Sequence, residues 1–186
     1  MNDTRSDGPP RAVLIAAVTV AVGAVVAVLV IAVIVQRSGP RPGAARPVAV
    51  SAVPAPRAQS PECTALAAKL PERLGDYRRA ALVDPAPVGA AAWQDDGGGE
   101  PIVLRCGVER PDDFVVGAPL TVVDPVSWFR VADPGADDRA TWFAVDRPVY
   151  VALTLPPDSG PDPIQTISAA VASAMPATTP DPAPVG

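Results

Sequence analysis

An uninterrupted apolar run from Ala12 to Val35 constrains this chain more than any other feature. It holds no charge and no proline, and its only polar side chain is Thr19. At ~1.5 Å rise per residue, a helix over the run is about 36 Å long, enough to cross a ~30 Å hydrocarbon core with some tilt. Apolar on every face, it does not suit a helix half-buried in a soluble domain. It reads as a single transmembrane helix over 12–35, with 1–11 as a short tail and all that follows tethered to the cell membrane. The competing reading is a cleaved signal peptide, whose apolar region is about 7–15 residues and leads to a small-x-small site. Gln36-Arg37-Ser38-Gly39-Pro40 offers no such site, and Val50-Ser51-Ala52 lies well downstream. A lipid-attachment cysteine would directly follow the run, but the first cysteine is Cys63.

Orientation rests on opposing signals. Arg5 and Arg11 precede the run, whereas Arg37, Arg41 and Arg46 follow it, so the positive-inside rule leans towards a cytoplasmic C-side. Against that, the N-flank is very short, with Arg11 at the edge of the run as in a signal anchor. The chain also has two cysteines, which read best as a disulfide in an oxidising compartment. The balance favours a cytoplasmic N-terminus and an extracytoplasmic C-terminal domain.

Composition divides the rest. Residues 36–60 are rich in Pro, Ala and Arg and contain no acid, which suits an extended, semi-rigid spacer able to lie on anionic headgroups. Residues 61–175 read as one small domain, in which acidic residues outnumber basic ones about two to one. Such a domain lacks the clustered Lys and Arg of a nucleic-acid binder. Residues 176–186, with their repeated prolines, read as a disordered tail.

Within 61–175 the pattern is helix, strands, helix. Ser60, Pro61 and Glu62 form a helix start, and Cys63, Leu66, Leu70 and Leu74 recur at helical spacing on one face. Pro71 breaks or kinks this helix, and a short second turn over 72–79 is expected. Strands are expected over 90–93, 102–108, 120–123, 127–131, 141–145 and 149–155, separated by Asp-, Gly- and Pro-rich turns. In 102–108, Ile102, Leu104, Cys106 and Val108 point one way and Val103, Arg105 and Gly107 the other. Asp162 as N-cap, with Pro163 and Gln165 after it, opens a last helix with Ile164, Ile167, Val171 and Met175 as its apolar stripe. This predicts an α+β fold: a small antiparallel sheet with two helices packed on one face.

Cys63 falls on the apolar face of the first helix and Cys106 on the same strand face as Ile102 and Leu104. A bridge would pin helix to sheet and, on the chain-entropy model, stabilise by roughly 4 kcal/mol. Two buried thiols are the alternative.

The chain has no histidine, so Ser-His-Asp and Cys-His constellations are absent, and too few ligands exist for a zinc site. The only lysine, Lys69, has Leu66 rather than serine three residues before it. No phosphate-binding glycine motif is present, and no cofactor is implied. Asp95-Asp96, Asp112-Asp113 and Asp137-Asp138 are candidate carboxylate pairs, but each sits beside Gly, Pro or another turn residue, where aspartate normally serves turns. Trp93, Arg105, Trp128 and Trp142 are a candidate binding surface; the tryptophans suit a core better, and Arg105 a structural ion pair.

Several motifs together carry a resemblance: Cys63-Thr64-Ala65-Leu66 with Leu70-Pro71, Ala91-Ala92-Trp93, Pro101-Ile102-Val103-Leu104-Arg105-Cys106-Gly107-Val108, Trp128, and Arg147-Pro148-Val149-Tyr150-Val151. With these the chain resembles a family of uncharacterised actinobacterial proteins that pair an N-terminal membrane segment with a small exported domain of unknown function. The resemblance implies an envelope location and a shared cysteine pair, and no activity, substrate or cofactor. The reading is a membrane-anchored cell-envelope protein whose domain binds an envelope protein or cell-wall partner without catalysis. The alternative is a carboxylate-dependent envelope hydrolase.

Overall fold

Residues 46–135 and 139–185 are described by a computed structural model. The apolar run 12–35, the tail before it and the start of the spacer lie outside the described residues, as does the Asp137-Asp138 pair. No helix among the described residues is long and apolar enough to cross a membrane.

Helix α1 spans Pro61–Ala67. Ser60 caps it as the sequence indicates: its Oγ accepts from the Cys63 amide at 3.2 Å, and proline occupies the first turn, where no amide partner is needed. The helix stops short of Pro71, so Leu70 and Leu74 are not on it. Leu74 belongs instead to a hairpin of β1 (Arg73–Leu74) and β2 (Tyr77–Ala80), which replaces the expected helical turn over 72–79. Gly75, at φ +57°, makes the tight reversal between Leu74 and its cross-strand partner Tyr77. The next strands are β3 (Ala90–Gln94) and β4 (Ile102–Val108), then β5 (Thr121–Val123) and β6 (Val126–Ala132). β7 (Ala140–Ala144) and β8 (Tyr150–Leu155) complete the sheet. Helix α2 spans Asp162–Ala174.

All neighbouring strands are antiparallel, in the order β1-β2-β3-β4-β8-β7-β6-β5. Two four-stranded meanders thus meet where β4 pairs with β8. The fold is α+β, an antiparallel sheet with two helices, as the alternation of the apolar residues indicates.

One sheet face carries the helices. Leu66 of α1 and Ile164, Ile167 and Val171 of α2 pack with Trp93, Leu104, Trp128 and Leu153 in one buried cluster. Cys63 and Cys106 belong to it and are bonded, with Cα atoms 5.6 Å apart. The α2 start differs from the expected one: Pro161 is the N-cap, Asp162 lies inside the first turn, and no side chain caps the end.

The other face is open at its centre and covered at its flanks. On one side Val48, from the middle of the expected spacer, joins Ala80, Ala92 and Val103 in a small buried cluster. It makes a parallel bridge to Leu82: its amide donates to Ala81 O at 2.8 Å, and its carbonyl accepts from the Val83 amide at 3.0 Å. On the other side Phe114, from the β4–β5 connection, packs with Phe129 and Val145. The proline-rich C-terminal stretch supports that flank, with the Ala183 amide bonded to Phe114 O at 2.9 Å and the Val116 amide to Ala183 O at 2.9 Å. Proline-rich chain makes few hydrogen bonds of its own, so composition suggested a spacer and a tail. Backbone donors and acceptors of the connections at Ala81–Val83 and Phe114–Val116, with the apolar residues beside them, supply the missing partners.

β4 keeps its expected alternation up to Cys106. Ile102, Leu104 and Cys106 enter the helix-side core, while Val103 and Arg105 face the other way. Val108 departs from it. Cys106 pairs with Val151 and Val108 with Tyr150, leaving Gly107 (φ +79°) as an extra residue in a β-bulge. One extra residue reverses the parity, so Val108 lines the open face with Arg105.

Candidate functional site

The open face holds a cleft of about 470 Å³ centred on β4, β8 and β7. The pairing explains why a cleft forms there. Arg105 stands between Ala90 on β3 and Ala152 on β8, whose methyl side chains leave its flanks unfilled. Phe143 follows across β7, and the adjacent rung runs Val103, Thr154, Thr141, Val131. The Thr141 and Thr154 hydroxyls are 3.0 Å apart. Val53 and Pro54 form one wall, and the Glu109–Asp113 stretch after β4 forms the other.

Arg105 is the only charged residue in β4, β7 and β8. Its Nη2 donates to Ser51 O at a long 3.4 Å, and its buried Nε has no hydrogen-bond partner. A guanidinium has five donor hydrogens, so this one is under-bonded. Burial, and then the nearby positive Arg139, lower its pKa from the ordinary arginine value. Arg110, at the rim, is already engaged: its Nη1 lies 3.3 Å from Asp181 O and 3.9 Å from Asp181 Oδ2.

The four residues singled out as a binding surface do not converge. Trp93 is fully buried on the helix side, with Nε1 donating to Pro71 O at 2.9 Å and Arg79 stacked 4.8 Å from its ring centre. Trp128 is fully buried, its Nε1 donating to Ser168 Oγ at 2.9 Å. Trp142 packs against the same core at half burial. Arg105 alone faces the cleft. The residues missed, Thr141, Phe143, Ala152 and Thr154, sit at alternate positions of β7 and β8. That period of two was the available signal.

A second cleft, of about 680 Å³, gathers Asp76, Asp95, Glu100, Asp158 and Asp162 at the turns and at the start of α2. Tyr77 lines it, its pKa raised by burial first and then by Asp95, Asp158, Asp76 and Glu100. Asp95 serves its own turn, accepting from the Gly99 amide at 2.8 Å. Asp96 pairs with Arg78 at 3.4 Å, and Asp112 and Asp113 line the Arg105 cleft instead. Among the described residues no group of three or more His, Cys, Asp or Glu is arranged to hold a metal ion.

Sequence reading also passed over a buried ion pair. Arg147 lies 2.8 Å from Asp146 Oδ1 and donates through Nη2 to Pro125 O at 2.6 Å. Asp146 Oδ2 accepts from the Ser127 amide at 2.8 Å, and Asp146 O from the Thr178 amide at 2.9 Å. The pair ties the turn before β8 to the β5–β6 turn and to the C-terminal stretch. It opens onto neither cleft, so its role is structural.

Fold and cleft together define a disulfide-stapled α+β module with an antiparallel sheet open on one face. The chain belongs to the DUF3515 family of proteins of unknown function, whose family model matches residues 18–180. The match begins inside the apolar run and continues through the domain. Neither a curated protein nor a solved structure matches the chain.

Proposed function

We propose that this is a membrane-anchored protein of an actinobacterial cell envelope, whose extracytoplasmic domain binds a partner without catalysis. Residues 12–35 are the single-pass anchor, the N-terminus is cytoplasmic, and the partner is an envelope protein or cell-wall component. The observation that carries the reading is the under-bonded Arg105 guanidinium on the floor of a formed cleft. Beyond the single long bond to Ser51 O this guanidinium has donors to spare, and these are available to a partner's acceptor. The Cys63–Cys106 bond and the absence of histidine support an exported, non-catalytic role.

The test is site-specific photo-crosslinking in native membranes. A photoreactive residue replaces Val53, at the cleft wall, or Val122, exposed on the edge strand β5. The reading expects an adduct from position 53 that is absent at 122 and lost in Arg105→Gln. The same adducts from both positions, or adducts indifferent to Arg105, would overturn it.

The acidic cleft favours a second reading, the carboxylate-dependent hydrolase. Two facing carboxylates about 5–9.5 Å apart are what glycan hydrolysis needs. Release of reducing ends from cell-wall glycan by the full chain, abolished in Asp158→Asn, would decide for it.

A further inference from the structure

We infer that the Arg105 cleft takes a ligand with one carboxylate on an apolar body, the carboxylate seated against the guanidinium and the threonine pair. The inference rests on the open-face cleft being the binding surface and adds the chemical class of what enters it.

Three features of the lining set that class. First, the donors share the floor: Arg105, Thr141 and Thr154 all line the cleft from adjacent rungs. Arg105 lines the cleft with a planar guanidinium whose one hydrogen bond is the long contact to Ser51 O, so its Nη donors remain for a carboxylate, the acceptor that a guanidinium fork matches. Thr141 and Thr154, on the adjacent rung, share one hydrogen bond; it uses one hydroxyl hydrogen and leaves the other to donate. Second, the rim limits the charge. Glu109, Asp112 and Asp113 line the same cleft, and Arg110 is already committed to Asp181. A single negative charge reaches the floor guanidinium, whereas each further charge near the mouth meets these carboxylates. A phosphate dianion is thereby disfavoured. Third, the remaining lining is apolar. Val53, Val108, Val131, Phe143 and Ala152 contribute to it, and a volume of about 470 Å³ lies within the usual ~300–1,000 Å³ of small-ligand sites. An apolar body of a few carbons fills this space and shields the ion pair from water.

The carboxylate has two chemical sources, a free aliphatic acid and the C-terminus of a peptide ending in small apolar residues. The test separates them. The full chain is placed in lipid nanodiscs with its arginines labelled by nitrogen-15, and the Arg105 Nε–H resonance is followed while ligands are added. The probes are hexanoate, hexanamide, hexyl phosphate, acetyl-Val-Ala and the amide of that peptide. A saturable shift is expected with hexanoate, acetyl-Val-Ala or both, and none with either amide. Binding of only one acid identifies the source. Hexyl phosphate is expected to bind more weakly than hexanoate above the second phosphate pKa. Arg105→Lys keeps the charge and loses the fork, so it should weaken binding about 10- to 100-fold when followed by ligand line-broadening. Its unfolding midpoint serves as the check on folding.

Equal binding of acid and amide overturns the carboxylate assignment and leaves the cleft as a binding surface. Tighter binding of the phosphate overturns the single-charge argument. No saturable shift with either acid overturns the inference outright, and the crosslinking from Val53 then decides the broader reading by itself.

Discussion

Gly107 and Arg57 touch backbone to backbone. The Arg57 amide donates to Gly107 O at 3.1 Å, and a Cβ built on Gly107 would overlap the Arg57 carbonyl carbon and the Ala58 nitrogen. The segment entering the domain is thereby clasped to the bulge in its central strand.

Gly107→Ala should therefore destabilise the domain by well over the ~1–2 kcal/mol that a left-handed backbone alone costs an L-residue. Gly117→Ala is the control: Gly117 has a similar φ of +87° and nothing within 4 Å of an added Cβ. Urea unfolding of both should show the larger loss at Gly107. Equal losses would mean that the clasp contributes little and that backbone conformation accounts for the effect.

Replacing Cys63 or Cys106 with serine should cost about 2–5 kcal/mol. The remaining cysteine should then alkylate in the unfolded chain without reductant, whereas the native pair should not. Alkylation of both native cysteines under non-reducing conditions would contradict the bond.

Asp146→Ala leaves the Arg147 guanidinium buried without its counter-charge and should destabilise by about 3–5 kcal/mol. The double variant Asp146→Ala with Arg147→Met removes both charges and should recover much of that loss. Thermal unfolding of the two variants is the comparison, and an equal loss in both would remove the ion pair as the cause.

Tyr77 and Tyr150 are the only two tyrosines, and both have pKa values raised from the ordinary 10.0. Burial is the leading cause at each, with nearby carboxylates reinforcing it at Tyr77. A raised folded pKa means that the folded state holds these protons more tightly than the unfolded state. The associated stability is complete below the unfolded value and is lost as pH rises through the folded ones. Tyrosinate absorbance should rise at higher pH in the folded protein than in urea. Coincident curves would contradict the assignment.

Much of the architecture was legible in short-range pattern. The alternation from Ile102 to Cys106, the helix start at Ser60–Glu62 and the stripe of α2 all appear where periodicity places them. The Cys63–Cys106 bond followed from matching two such faces. What escaped depended on partners distant in sequence. Val108 changed face because Gly107 bulges where residues 57 and 58 cross it, which no window around β4 contains. Leu74 fits a helical stripe, but Gly75 at φ +57° turns the chain into a hairpin. Arg105 was visible as a charge on a strand. Its cleft was not, because that depends on Ala90, Ala152 and the phase of Thr154 across three strands.

The covalent ring closed by Cys63 and Cys106 has a mechanical meaning. It contains β1, β2 and β3 whole, so tension applied at the two ends of the domain passes through sulfur from α1 straight into β4. Strands β1 to β3 then lie outside the load path. Stretched in an optical trap, the reduced domain should lengthen more than the oxidised one by the 43-residue separation, about 150 Å of extended chain.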